Sequence, residues 1–298
     1  MYNNKQQQWQ GVLKHDEPMS RHTSWRVGGC AERYYQPVDL EDLKVFLRSL
    51  TDAPALTWIG LGSNTLVRDG GISGVVINIT GILNKIDFHS NFEVYVEAGV
   101  ASPKLARATA KRGLSGLEFL SGIPGTIGGA LAMNAGCMGS EIWEYVKQVV
   151  TLDGQGEEHI RNKDEYTIAY RSVKGVENEY FVAATFRLHA GDSQKSEKII
   201  KEYLARRGST QPTQLPNAGS VFRNPENDYA ARLIEESGLK NYCIGGACVS
   251  EKHANFIVNT GTASAKDIES LISHVRQTVE TKMHVTLHAE VRIIGNEK

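Results

Sequence analysis

The sequence predicts a mixed fold of the α+β (mixed α/β) class. Capped amphipathic helices and β-branched runs alternate along the whole chain, and the glycines, 29 in all, cluster at 60–74, 113–139, 219 with its neighbours and 245–246. Asp39 caps a helix with Leu40, Leu43, Phe46, Leu47 and Leu50 on one side. Ser102-Pro103 opens a second helix with proline at its first position, and Gly113 closes it. Ser264 opens the longest helix, with Ile268, Leu271, Ile272, Val275 and Val279 on one face. Strands are expected at 74–79, 93–98, 146–152, 181–188, 255–258 and 285–294. The last alternates strictly, with Val285, Leu287, Ala289, Val291 and Ile293 on one face and Thr286, His288, Glu290 and Arg292 on the other. The segment 191–216 is polar and holds one basic helix. Boundaries near Gly81 and Gly208 divide the chain into 1–81, 82–207 and 208–298.

Composition narrows the classes of function. The 298 residues are 41% hydrophobic and 22% charged, with a net charge of −1. Basic and acidic residues are interleaved, and a nucleic-acid protein would be expected to show a basic stripe. The opening residues, Met1-Tyr2-Asn3-Asn4-Lys5-Gln6-Gln7-Gln8, read as a polar, frayed tail without the apolar core of a signal peptide. No window approaches the roughly 20 apolar residues of a membrane span. Cys30, Cys137, Cys243 and Cys248 share no metal spacing. Cys243 and Cys248 are close enough in sequence to pair, but free thiols are the expectation in a chain read as cytoplasmic. No nucleic acid, membrane or metal is expected as a partner.

Two glycine loops point to an anionic ligand. The first is Gly60-Leu61-Gly62-Ser63-Asn64, following an apolar run at 56–59. The second, from Ser121 to Gly136, includes Gly122, Pro124, Gly125, Thr126, Gly128, Gly129 and Asn134. Successive backbone N–H groups without side-chain cover form concavities suited to a pyrophosphate. The first loop alone reads equally well as a tight turn, because its spacing departs from the dinucleotide fingerprint. The second is harder to read so: five glycines in that stretch would make a floppy segment unless something rigid pressed against it.

With the later motifs in order, the sequence resembles the UDP-N-acetylenolpyruvoylglucosamine reductase (MurB) family. Those motifs are Tyr170-Arg171-Ser172, Asn217-Ala218-Gly219-Ser220-Val221-Phe222-Arg223-Asn224-Pro225, the run from Gly245 to Asn259, and Glu290-Val291-Arg292. The likeness runs from about Thr23 to Gly295. It implies a three-domain flavoprotein with a vanillyl-alcohol-oxidase-like FAD-binding region and a C-terminal substrate domain. It also implies non-covalent FAD, NADPH as hydride donor and UDP-N-acetylglucosamine enolpyruvate as substrate. By the same resemblance, 60–64 and 124–129 hold the FAD pyrophosphate, Arg171, Ser220 and Glu290 take the catalytic positions, and Tyr170, Arg223, Asn224 and Arg292 lie near substrate. Arg223 departs from the lysine often found there, which replaces a point charge with a planar fork. The interval between Arg171 and Ser220 is too short for the inserted lid loop with its tyrosine, so the shorter subtype is implied.

The chemistry explains the residue types. Reducing an enol ether conjugated to a carboxylate builds negative charge on the carbon beside the carboxylate. A permanently charged, forked arginine suits that carboxylate, which is the role for Arg171. A positioned hydroxyl can deliver the proton to carbon, which is the role for Ser220. Glu290 would support the charge as a neutral acid or through water, with its pKa raised by burial. Without the family, each has a plainer reading: a surface arginine, a turn serine and a solvent-facing glutamate. His253 reads as structural. Two other functions compete: an oxidase of the same superfamily, which often tethers FAD through a histidine that 60–66 lacks, and a flavin- or nucleotide-binding module without catalysis.

Overall fold

The computed structural model describes residues 8–298, so most of the polar tail read from the sequence lies outside the described residues. Contacts group the described residues into two compact units whose segments alternate along the sequence: 8–15, Arg33–Gly60 and Gly74–Lys201 in the first, and Asp16–Glu32, Leu61–Ser73 and Glu202–Lys298 in the second.

The first unit is built on two sheets. One has four strands in the order Val12–Pro18, Cys30–Gln36, Ile72–Asn78, Leu56–Ile59. Against it packs α1, Leu40–Ser49, whose N-cap Asp39 accepts from the Asp42 N–H at 2.8 Å. Helical spacing sends Leu43, Phe46 and Leu47 inward, and Phe46 stacks on Tyr35 with ring centroids 3.5 Å apart. The other sheet has five strands in the order Glu158–Asn162, Val146–Asp153, Glu179–Arg187, Glu93–Glu97, Ile86–Phe88, all antiparallel neighbours. Helix α2, Ser102–Lys111, starts one residue earlier than the proline rule implies, with Ala101 as N-cap. Helix α3, Ile127–Ala132, is the short helix of the second glycine loop, and α4, Ser193–Thr210, is the basic helix expected in the polar segment.

The second unit has a three-stranded antiparallel sheet, Cys243–Ile244, Ala247–Val249 and Ile257–Asn259, to which Asn217 adds a single bridge at Val258. Helices α5, Ala230–Glu236, and α6, Ala265–Met283, cover its core. Ser264 caps α6 by accepting from the Asp267 N–H at 3.0 Å, and Ile268, Leu271, Ile272, Val275 and Val279 are buried, as the spacing implies. Burial of each such side chain is worth roughly 1.5–3 kcal/mol. Trp25 enters this core fully buried, its indole N–H donating to the Ile257 carbonyl at 2.8 Å, while Asn259 Nδ2 donates to the Trp25 carbonyl at 2.9 Å.

Two expectations are corrected here. The continuous strand at 285–294 shrinks to Arg292–Ile294, which pairs in parallel with Thr65–Val67. Upstream, Leu287 and Val291 are buried as the alternation implies, but Ala289 is exposed and bridges Phe222 singly. The main chain there is paired by a loop rather than a ladder: Arg223 N–H donates to the His288 carbonyl and Glu290 N–H to the Val221 carbonyl. The expected free thiols at Cys243 and Cys248 are instead a disulfide. They face each other across a hairpin with Cα atoms 4.1 Å apart, so strand register brings the sulfurs together. Cys30 and Cys137 are outside any disulfide, and the Cys137 thiol donates to the Phe119 carbonyl at 3.2 Å.

Candidate active site

The first glycine loop leaves the strand Leu56–Ile59 at Gly60. A Cβ on Gly60 would lie 2.5 Å from Thr126 Oγ1, so the absence of a side chain there lets the two glycine loops meet inside the first unit. Thr126 is the N-cap residue of α3. Gly125 before it has φ +134, in the region that favours glycine. Gly122 ends a 3-10 turn, and Pro124 is exposed. Gly128 and Gly129 lie within α3 and do not take positive φ. Their difference is in surroundings. A Cβ on Gly128 would meet the Ala98 Cβ at 3.0 Å, whereas on Gly129 nothing lies nearer than Thr126 Oγ1 at 3.8 Å.

Asn134 is buried with φ +47, and its amide is engaged by the protein: Nδ2 donates to Glu141 and to the Ala169 carbonyl at 3.1 Å, and Oδ1 accepts from the Trp143 N–H at 3.4 Å. Glu141 also faces Arg171, at 3.7 Å from Nη1. Tyr170 and Arg171 form the two-residue turn between Thr167–Ala169 and Ser172–Lys174. Arg171 takes φ +54, uncommon for a non-glycine residue. Its Nη2 donates to the Gly136 carbonyl at 2.6 Å, and the guanidinium sits over the Tyr170 ring at 4.8 Å. The first unit thus brings Tyr170, Arg171 and Asn134 together through Glu141, a residue the motifs did not single out.

The second unit gathers the rest. Gly62 is buried with φ +60, and a Cβ would lie 2.1 Å from the His22 carbonyl oxygen. Leu61 is exposed; Ser63 and Asn64 are half-buried. Ser220 is half-buried and follows Gly219, whose φ is +75 and whose missing side chain faces open space. Glu290, half-buried, adjoins it through the bond from its N–H to the Val221 carbonyl at 2.8 Å. Arg223 has a buried Nε with no hydrogen-bond partner among the described residues. The Asn224 side chain is exposed but accepts from the Ala230 N–H at 3.1 Å, which anchors the start of α5. Arg292 is exposed at the head of its strand. His253 is partly buried against Phe256, and burial pushes its imidazole below the ordinary value. Asn255, buried and bonded to Phe222, was also missed; it is neither charged nor nucleophilic, so only the fold exposes its place. Among the described residues no group of three or more His, Cys, Asp or Glu could hold a metal, and no helix is long and apolar enough to cross a membrane.

Residues 31–160 match the model of an FAD-binding domain, so fold and loops define an FAD-binding protein of mixed helix and strand. Residues 211–294 match the C-terminal domain of UDP-N-acetylenolpyruvoylglucosamine reductase. The chain is 55% identical over 286 residues to the UDP-N-acetylenolpyruvoylglucosamine reductase of Nitrosococcus oceani, covering 96% of each. It is 52% identical over 303 residues to that of Thiobacillus denitrificans, covering 97% of this chain and 94% of the relative. The crystal structure of the enzyme from Thermus caldophilus superposes with a TM-score of 0.82 at 31% identity, over 95% of this chain and 98% of that one. The chain belongs to the UDP-N-acetylenolpyruvoylglucosamine reductase family.

Proposed function

We propose that the chain reduces UDP-N-acetylglucosamine enolpyruvate to UDP-N-acetylmuramate with NADPH through non-covalently bound FAD, in the cytoplasm, as a step in peptidoglycan precursor synthesis. The observation that carries this reading is the joining of Ser220 and Glu290 on adjacent main-chain segments, in a chain of this family.

The residues present fit FAD. Gly60, bare of a side chain, lets Thr126 Oγ1 come close, and a Cβ added at Gly129 would meet nothing nearer than 3.8 Å. Ser102 Oγ is fully buried with no hydrogen-bond partner among the described residues, while its own N–H donates to the Gly125 carbonyl at 2.9 Å. Such an orphaned donor beside a glycine loop suits a ligand oxygen. In this reading Gly60, Leu61, Gly62, Ser63, Asn64, Gly122, Pro124, Gly125, Thr126, Gly128 and Gly129 line the cofactor, and Asn134 shapes the second loop from beneath. Residues 1–81 and 82–207 serve the cofactor and 208–298 the substrate; the matched segments 31–160 and 211–294 support this division.

FAD, when bound, supplies a hydride to the terminal methylene of the enol ether. Arg171 neutralises the carboxylate into which the resulting negative charge spreads. The Ser220 hydroxyl delivers a proton to the adjacent carbon, and Glu290 supports the charge. Arg223, with its unpaired Nε, takes a phosphate oxygen of the sugar nucleotide; Tyr170, Asn224 and Arg292 line the same ligand. The interval from Arg171 to Ser220 is filled by the strands Ser172–Lys174, Glu179–Arg187 and His189–Ala190 and by α4, which supports the shorter subtype without a lid insertion.

The test is anaerobic. NADPH should bleach the yellow holoenzyme, and UDP-N-acetylglucosamine enolpyruvate should restore the colour. A flavin that air reoxidises on the turnover timescale and that enolpyruvate leaves bleached would mark an oxidase instead.

A further inference from the structure

The two residues after Ser220 are both held by Asn255, Val221 by its main chain and Phe222 by its side chain. Phe222 N–H donates to Asn255 Oδ1 at 2.9 Å, and Asn255 Nδ2 donates back to the Phe222 carbonyl at 2.8 Å. Val221 N–H donates to the Asn255 carbonyl at 2.9 Å. Asn255 is 3% exposed, so water does not compete for these bonds. A primary amide offers one acceptor and a donor in fixed geometry, and both are used on the same residue, which fixes the plane of the Phe222 peptides. Asn255 is itself fixed. Its N–H donates to His253 Nδ1 at 3.3 Å, and its loop is closed by Ser250 N–H donating to the Phe256 carbonyl at 2.8 Å.

On the other side of Ser220 lies Gly219, with a left-handed φ and open space where a side chain would be. Its N–H donates to Asn217 Oδ1 at 3.0 Å, and the downstream grip on Val221 and Phe222 holds the serine from the other side. We infer that Asn255 is a positioning residue for Ser220: by clamping Val221 and Phe222 it places the serine hydroxyl for proton delivery without touching the substrate. The inference rests on the reading of Ser220 as proton donor.

Asn255→Asp keeps the shape and the acceptor but puts a carboxylate oxygen against the Phe222 carbonyl. In the holoenzyme it should slow flavin reoxidation by enolpyruvate at least ~10-fold while changing reduction by NADPH less than about twofold, since proton delivery alone depends on this geometry. Combined with Ser220→Ala it should be no slower than Ser220→Ala alone, because the two act through one group. Equal slowing of both half-reactions, no slowing, or an additive double variant would overturn the proposal. If Asn255→Asp does not fold, Asn255→Ser, which keeps an acceptor in a smaller side chain, takes its place under the same criteria. Hydrogen exchange on the unmodified protein reads the clamp directly: Val221 and Phe222 amides should be strongly protected, and rapid exchange at both would also overturn it. Ser220→Ala separates the two readings. If it leaves reoxidation unchanged, the proton-donor role fails and the positioning role with it; if it slows reoxidation and the Asn255 variants do not, the positioning role alone fails.

Discussion

Asn64 Nδ2 donates to the main-chain carbonyl of Glu290 at 3.1 Å, and the Asn64 carbonyl accepts from the Arg292 N–H at 3.0 Å. One residue of the first glycine loop therefore brackets Glu290-Val291-Arg292, and the parallel pairing of Thr65–Val67 with Arg292–Ile294 continues from it. Withdrawing the amide removes a hydrogen bond worth about 1 kcal/mol. Asn64→Ala should lower the melting temperature by about 2–4 °C and depress turnover further, because the Glu290 segment loses its guide. Thermal melts and steady-state rates measure this; a variant matching the parent in both would remove the link between loop and segment.

The glycines of the two loops should separate by experiment. Gly62 combines φ +60 with a Cβ position 2.1 Å from the His22 carbonyl oxygen, so even alanine is strained there. Gly62→Ala should destabilise the protein by about 1–3 kcal/mol, read from denaturant midpoints. Gly129 is helical with open space around it, so Gly129→Val should fold with little change in the melting temperature of the cofactor-free protein. Its flavin content after gel filtration should fall sharply, because the side chain would enter the space assigned to FAD. Full occupancy in that variant would displace Gly129 from the cofactor-binding set.

Local signals were legible in the sequence, and long-range ones were not. Asp39 and Ser264 announced their helices because a cap is a contact between near neighbours. The alternation at 285–294 gave the burial of Leu287 and Val291 but not the pairing, because whether a strand finds a ladder or a loop depends on Val221 and Arg223, far away in sequence. Cys243 and Cys248 illustrate the same point. Composition favoured free thiols, and only the register of the Cys243–Ile244 hairpin sets them face to face. The motifs singled out Arg171, Ser220 and Glu290 by residue type, whereas Glu141 faces Arg171 and Asn255 bonds Val221 and Phe222 only through the fold. Residues of that kind carry no chemical signature of their own.

Ser220 is assigned one half of the reaction. Taking a hydride from NADPH requires no proton delivered to carbon, whereas reducing the enol ether does. Ser220→Ala should therefore be bleached by NADPH near the normal rate and reoxidised by enolpyruvate at least ~100-fold more slowly, the low end for loss of a general acid. Stopped-flow absorbance resolves the two phases. Equal slowing of both would make Ser220 a packing or cofactor-positioning element, and slowing of neither would move the proton source to water or Glu290.

His253 gives the second unit an acid limit. Burial pushes its imidazole below the ordinary value of 6.5, and the Lys240 charge pushes the same way, while its backbone hydrogen bond and Glu235 oppose them in part. In the folded protein the neutral ring accepts from the Asn255 N–H through Nδ1, and protonation would turn that acceptor into a donor facing another donor. The folded pKa lies below the unfolded one, so the stability this group contributes is complete above about pH 6.5 and is lost as pH falls from there through the lower folded value. The melting temperature should hold steady from about pH 8 to 7 and decline toward pH 5.5, in the window set by an unfolded histidine. His253→Asn, whose side-chain oxygen can accept but which does not titrate, should flatten that part of the curve. Because the ring supports the loop that carries Asn255, the same variant should also weaken the pH dependence of flavin reoxidation by enolpyruvate. Identical slopes for parent and variant in the melting curves would show that the acid limit arises elsewhere.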